Sequence, residues 1–298
     1  MGNTYSVRLE NVVKNNQVSY RAIVITKPDI RIAPTIYLES YYEEYVAGKN
    51  ITDISLAIVV QYEMANKDIG IDIDMIMNYE AIKDHLFVKV INTKLNDHKL
   101  QSIPHMDYYD LSMVVYAEMS DNEHCSASML VQNQHLQIWN INTEELFKCA
   151  IKNTRANRTY MLRKMSDVLL RLLKERMEAC EYKEGDDTEL DEMIAEARKV
   201  IEDSKKREMY VLTNKQAYCG AVYMLFEDVM KEIVEEINDD VFILPCSIHE
   251  VILVPKGACS DEQELRNMVQ AVNRNDMDPR EVLSDEVYLY EKGNGIVI

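Results

Sequence analysis

Polar and apolar residues alternate along the start of the chain. Val7, Leu9 and Val12 precede the polar run Lys14-Asn15-Asn16-Gln17, and Val18, Tyr20, Ala22 and Val24 follow it, which predicts a β-hairpin. Pro34-Thr35-Ile36-Tyr37-Leu38 reads as a third short strand. The period then lengthens. From about Asn50 to Asn66, Leu56, Val59, Val60 and Met64 are expected on the apolar stripe of a helix, with Thr52 or Asp53 near its cap. Residues 71–104 carry weaker signals, read as a helix around 78–85 and a strand around 86–92.

From Asp110 the β pattern strengthens. Leu111 to Met119 reads as a buried strand, with Ser126 to Val131 and Leu136 to Trp139 as its partners. Asn142 and Glu145 resemble a capping box ahead of a helix from Thr143 to Asn153. Residues 161–207 are expected to form a helical hairpin. Met165, Leu169, Leu172 and Arg176 repeat at helical spacing, as do Leu190, Ile194, Ala197 and Ile201, and the acidic run from Glu181 to Glu189 separates the arms. The remainder reads β-β-α-β-β-α-β. Its strands are expected at Met209 to Thr213, Gly220 to Leu225, Val241 to Leu244 and Glu250 to Val254, and its last helix behind a box of Ser260 and Gln263. Hairpins dominate and no strand-helix-strand series appears. The expected class is therefore α+β, a mainly antiparallel sheet packed with helices plus an inserted helical hairpin. The expected organisation is an α+β region at 1–104, a strand-rich segment at 105–160, the hairpin at 161–207, and a C-terminal region at 208–298 sharing a sheet with 105–160.

Three stretches carry a family resemblance. They are Pro34-Thr35-Ile36-Tyr37-Leu38-Glu39 with Tyr41-Tyr42-Glu43, Pro104-His105 followed by Asp110-Leu111, and Ile243-Leu244-Pro245-Cys246-Ser247-Ile248-His249-Glu250-Val251 with Val282-Leu283-Ser284-Asp285. Together they resemble a domain-of-unknown-function family of anaerobic, clostridia-type bacteria and, more distantly, the YtpQ-type family of unknown function. The resemblance spans nearly the whole chain. It implies a fold and no catalytic residue, and Cys246 stands where that pattern has serine.

Composition removes several classes of function. No run approaches the roughly 20 apolar residues of a membrane helix, and Met1-Gly2-Asn3-Thr4-Tyr5-Ser6 lacks the regions of a secretory signal. Gly2 and Ser6 match a myristoylation pattern loosely, but Ser6 reads better as part of the first strand. The cysteines, at 125, 149, 180, 219, 246 and 259, form no C-x-x-C pair, which points to reduced thiols and a cytoplasmic setting. Glycine-rich phosphate loops, the G-x-S-x-G elbow and H-E-x-x-H are all missing, and no cofactor is expected.

The remaining chemistry is sparse. Asp72 and Asp74, if on a strand, would share a face and could hold a divalent cation, although a solvated edge explains them better. His105, Asp107 and Asp110 cluster ahead of the buried strand and could supply a base or metal ligand, or simply a strand entry. Cys246 and His249 flank a turn beside Glu250. Neighbours on a strand point to opposite faces, so His249 and Glu250 cannot both serve the thiol, and the turn reading is the better one.

Charge changes the picture most. The 51 acidic and 33 basic residues give a net charge of −18, yet residues 148–176 hold nine basic and two acidic residues. Residues 224–298 hold 17 acidic and six basic. The block could face the chain's own acidic C-terminal part or an acidic protein partner. Arg155, Arg158, Arg163, Lys164 and Arg171 are its candidate contact residues. Overall negative charge and a lack of stacking aromatics disfavour nucleic acid. The expectation is a non-enzymatic protein-interaction or binding module. The alternatives are a metal-dependent hydrolase or nuclease-like enzyme using Asp72, Asp74, His105 and Asp107, and an acidic polyanion-mimicking inhibitor.

Overall fold

The computed structural model describes residues 5–27, 33–68, 73–122, 125–179, 188–206, 208–259 and 261–297. Strands β1 (Ser6–Val13) and β2 (Ser19–Thr26) pair antiparallel from Ser6 opposite Thr26 to Val13 opposite Ser19. Asn16 and Gln17 close the turn at φ 56° and 58°, a region asparagine tolerates. β3 (Thr35–Tyr37) pairs with β2, giving a sheet of order β1-β2-β3. Helices α1 (Glu39–Val46) and α2 (Ile51–Asp68) follow. The packed side of α2 carries Ile54, Ile58 and Tyr62, with Tyr62 against Ile25 and Ile36. This corrects the expected stripe, because Leu56, Val59, Val60 and Met64 are exposed. The helix is apolar on two sides, and spacing alone does not tell which one meets the sheet.

Next come α3 (Ile73–Met77), α4 (Tyr79–Ile82), β4 (Leu86–Asn92), α5 (Asp97–Leu100), β5 (His105–Tyr108), β6 (Leu111–Asn122) and β7 (Cys125–Leu130). Their strands lie in the order β4-β6-β5, with β7 paired antiparallel to β6. The expected strand at 136–139 is instead the end of helix α6 (Asn133–Trp139). Gln132 N–H donates to His135 Nδ1 at 3.0 Å at its start, and Asn140 ends it at φ 53°. A short apolar run does not by itself separate strand from helix. The expected cap of α7 (Thr143–Asn157) forms, with Asn142 Oδ1 accepting from Glu145 N at 2.9 Å.

A third sheet has the order β13-β12-β10-β11-β9-β8. It is built from β8 (Tyr160–Lys164), β9 (Tyr210–Asn214), β10 (Val241–Leu244), β11 (Val251–Pro255), β12 (Tyr288–Glu291) and β13 (Gly295–Val297), all neighbours antiparallel. Between them run α8 (Met165–Ala179), α9 (Thr188–Lys206), α10 (Glu227–Ile237) and α11 (Glu262–Asn275). The pair α8–α9 packs as a hairpin. Its first arm starts at Met165 because residues 160–164 pair with β9, and its expected acidic turn falls largely outside the described residues. The expected strand at 220–225 is a 3-10 segment instead. There Gly220 N donates to His249 O at 2.9 Å, and a Cβ on Gly220 would lie 2.7 Å from Asn214 N and 2.8 Å from His249 O. Backbone this close to a loop leaves no room for a ladder. The cap of α11 is Asp261, whose Oδ1 accepts from Gln263 N at 2.9 Å, and Ser260 lies outside the described residues.

The core of this sheet is explicit in β10, buried on both sides. Phe242 and Leu244 pack with Val254 and with Leu265 and Val269 of α11, while Val241 and Ile243 point the other way and are equally buried. The fold is α+β, with antiparallel sheets packed against helices. It divides into two compact units, one of residues 1–87, 94–105 and 114–153, the other of residues 88–93, 106–113 and 154–298. Among the described residues no helix is long and apolar enough to cross a membrane.

Candidate functional site

The second unit carries a cleft of about 560 Å³ where β8 hands over to α8. Two local devices build it. Lys164 pairs opposite Tyr210 at the end of the β8–β9 ladder, and Met165 N donates to Met209 O at 2.8 Å, fixing the switch from strand to helix. Helical spacing then places Asp167, Val168 and Arg171 along one side of α8. Arg163, Lys164 and Arg171 line the cleft together with Asp167 and Glu236, and Leu162, Val168 and Tyr210 supply apolar surface. Arg171 Nε reaches Glu175 Oε1 at 3.6 Å, both half exposed, which is a weak surface pair. Arg163 and Lys164 make no side-chain ion pair among the described residues. The arrangement offers two uncommitted cations beside an apolar wall, with carboxylates in the same cleft.

Two other cations of the basic block are used inside the unit. Arg155 forms a two-pronged bond to Asp228, with both N–O distances 2.6 Å, and its guanidinium lies 4.5 Å over the Phe226 ring. The Arg155 guanidinium holds the Asp228 carboxyl below its ordinary range. Arg158 is buried, with its guanidinium 6.0 Å from the centroid of the Tyr218 ring.

The other polar residues singled out by the sequence are placed as follows. Asp74 lies in helix α3, so strand alternation does not set it beside Asp72, which is outside the described residues. His105 Nδ1 donates to the Ile103 carbonyl at 3.0 Å. Asp107 Oδ1 accepts from Ser112 Oγ at 2.8 Å. Asp110 accepts from Ser284 Oγ at 2.6 Å and from the Tyr288 hydroxyl, and both donors are buried. Burial, and then this bond to Asp110, drive the Tyr288 phenol far above its usual range.

His249 Nδ1 accepts from Cys219 N at 3.1 Å, which puts the proton of the neutral ring on Nε2, 3.4 Å from Glu281 Oε1. Both ring nitrogens thus face groups other than Cys246. Burial, reinforced by the charges of Glu250 and Asp285, pushes the Cys246 thiol up to about 11. A thiol in that state is a packing group. Among the described residues no three His, Cys, Asp or Glu side chains are grouped to hold a metal ion.

The sequence model of one family, described as a family of unknown function (DUF5688), matches residues 1–292. The chain belongs to DUF5688. No curated protein matches this DUF5688 chain, and no solved structure does. Leu162, Asp167, Val168, Tyr210 and Glu236 are the residues of the cleft that sequence reading missed. Val168 stands at helical spacing from Arg171 on α8, which was a usable signal. Tyr210 arrives through the pairing of β9 with β8, and Glu236 from helix α10, so both are revealed only by the tertiary fold.

Proposed function

We propose that this DUF5688 chain is a non-enzymatic binding module whose cleft between β8 and α8 receives an acidic segment of a protein partner. The observation that carries this reading is the pair Arg163 and Lys164, two cations without ion-pair partners among the described residues, lining a cleft with an apolar wall. Charged side chains held beside apolar surface without internal partners offer a partner both ionic and hydrophobic contact. Asp167 and Glu236 in the same cleft repel a uniform polyanion, whereas a peptide can space its carboxylates to avoid them. The net charge of −18 acts in the same direction against nucleic acid.

The test is fluorescence anisotropy with a labelled peptide of alternating glutamate and glycine, set against a single-stranded oligonucleotide of the same charge. The wild-type chain binds the peptide saturably and more tightly than the oligonucleotide. The triple variant Arg163→Ser, Lys164→Ser, Arg171→Ser weakens peptide binding by about tenfold or more, a change of roughly 1.4 kcal/mol. Equal binding by wild type and triple variant, or tighter binding of the oligonucleotide, refutes the reading.

A further inference from the structure

The first unit holds a different surface, at β1. In the order β1-β2-β3 this strand is an edge, and among the described residues no strand pairs with its outer side. It is eight residues long and exposed along nearly its whole length. Val7, Leu9 and Val13 alternate onto one face and are 61%, 62% and 57% exposed. A long, flat edge with apolar side chains is a template for another strand, and soluble proteins blunt or cover such edges.

Charge says which strand fits. Arg8 and Glu10 stand two apart on the opposite face of β1, across from Val24 and Ala22 of β2, and neither makes a side-chain ion pair among the described residues. Pairing β1 antiparallel with a copy of itself about Leu9 places Leu9 opposite Leu9, Val7 opposite Asn11 and Val13 opposite Tyr5. The same register sets Arg8 of each copy directly opposite Glu10 of the other, forming two identical cross-strand pairs. Opposite charges directly across an antiparallel ladder are favourable, like charges unfavourable. On the second face Leu9 covers Leu9 and Val13 covers Tyr5, and the patch becomes self-complementary, as an interface on a twofold axis must be.

We infer that two copies of this chain associate through β1, antiparallel and centred on Leu9, joining their three-stranded sheets into one continuous sheet. This is a separate surface from the cleft, and neither reading depends on the other.

Sedimentation velocity on the full chain across a hundredfold range of concentration tests it, with charge reversals as register probes. The wild type moves from the 34.6 kDa of one chain towards twice that mass. Arg8→Glu alone and Glu10→Arg alone each place like charges opposite one another and raise the dissociation constant about tenfold. The double variant Arg8→Glu, Glu10→Arg restores the wild-type value, because the pairs re-form with their signs exchanged. Both positions are exposed, and thermal melts of the monomeric form confirm that folding is unchanged. A wild type that stays monomeric, a dimer indifferent to Arg8→Glu, or a double variant that is not rescued overturns the inference.

Discussion

Burial decides what Cys246 can do. Its thiol is packed with Phe242, Leu244 and Leu265, its pKa is pushed up to about 11, and the ring nitrogens of His249 are turned to Cys219 and Glu281. Below pH 9, the ordinary value for this thiol, folded and unfolded chains both keep the proton and the group has no effect on stability. Between about 9 and 11 the unfolded chain releases its proton while the folded chain retains it, so stability falls as pH rises. The loss from this group is on the order of 1–2 kcal/mol across that window. Urea unfolding of wild type and Cys246→Ala at pH 8 and pH 10.5 checks it: the wild type loses more stability between the two than the variant does. A loss of the same size in both would mean that the thiol is not desolvated. The sequence placed Cys246 and His249 in a turn, but the amide of Cys219 and the carboxylate of Glu281 come from distant segments and left no local signal.

Among the elements, α2 makes the sharpest stability claim. Its packed side is Ile54, Ile58 and Tyr62, and its other apolar side, with Val60, faces outward. Tyr62→Ala should therefore cost about 3–5 kcal/mol, the range for emptying an aromatic core position. Val60→Lys should stay within about 0.5 kcal/mol, as exposed substitutions do. Thermal melts of the two variants distinguish them, and a large loss for Val60→Lys would show that this side is packed.

The same helix marks how far periodicity reads. Alternation located β1 and β2, a pair of apolar runs located β10 and β11, and helical spacing located α10 and α11; the last four are well buried, whereas β1 stays exposed and holds its strand form by pairing with β2. Reading failed where two patterns compete or where a segment is short. In α2 both sides are apolar. In α6 a few apolar residues suit either state, and a cap and a left-handed Asn140 settle it. At Gly220 the backbone bonds to the 248–249 loop, a contact made with residues far along the chain.

Over the whole chain, the uneven charge read from the sequence resolves into distinct uses. Arg155 closes onto Asp228 within the acidic C-terminal part, Arg158 is buried beside Tyr218, and Arg163, Lys164 and Arg171 open into a cleft. The cations of that cleft were visible as a basic block, since charge density is a property of sequence. Leu162, Asp167 and Val168 lie within the same block, whereas Tyr210 and Glu236 come from β9 and α10 and left no local signal. A mixed cleft of this kind selects by the spacing of charges as well as by their sign. Exposed charge pairs are screened over about 8 Å at physiological salt, so binding there should weaken as salt rises.

The central claim is that this cleft is where a partner binds, and hydrogen exchange tests it most directly. With the glutamate–glycine peptide at saturation, the amides of residues 160–171 and of Tyr210 should exchange more slowly, while β1 and α2 remain as they are in the free chain. Unchanged exchange at 160–171, or protection confined to another part of the molecule, would contradict the account.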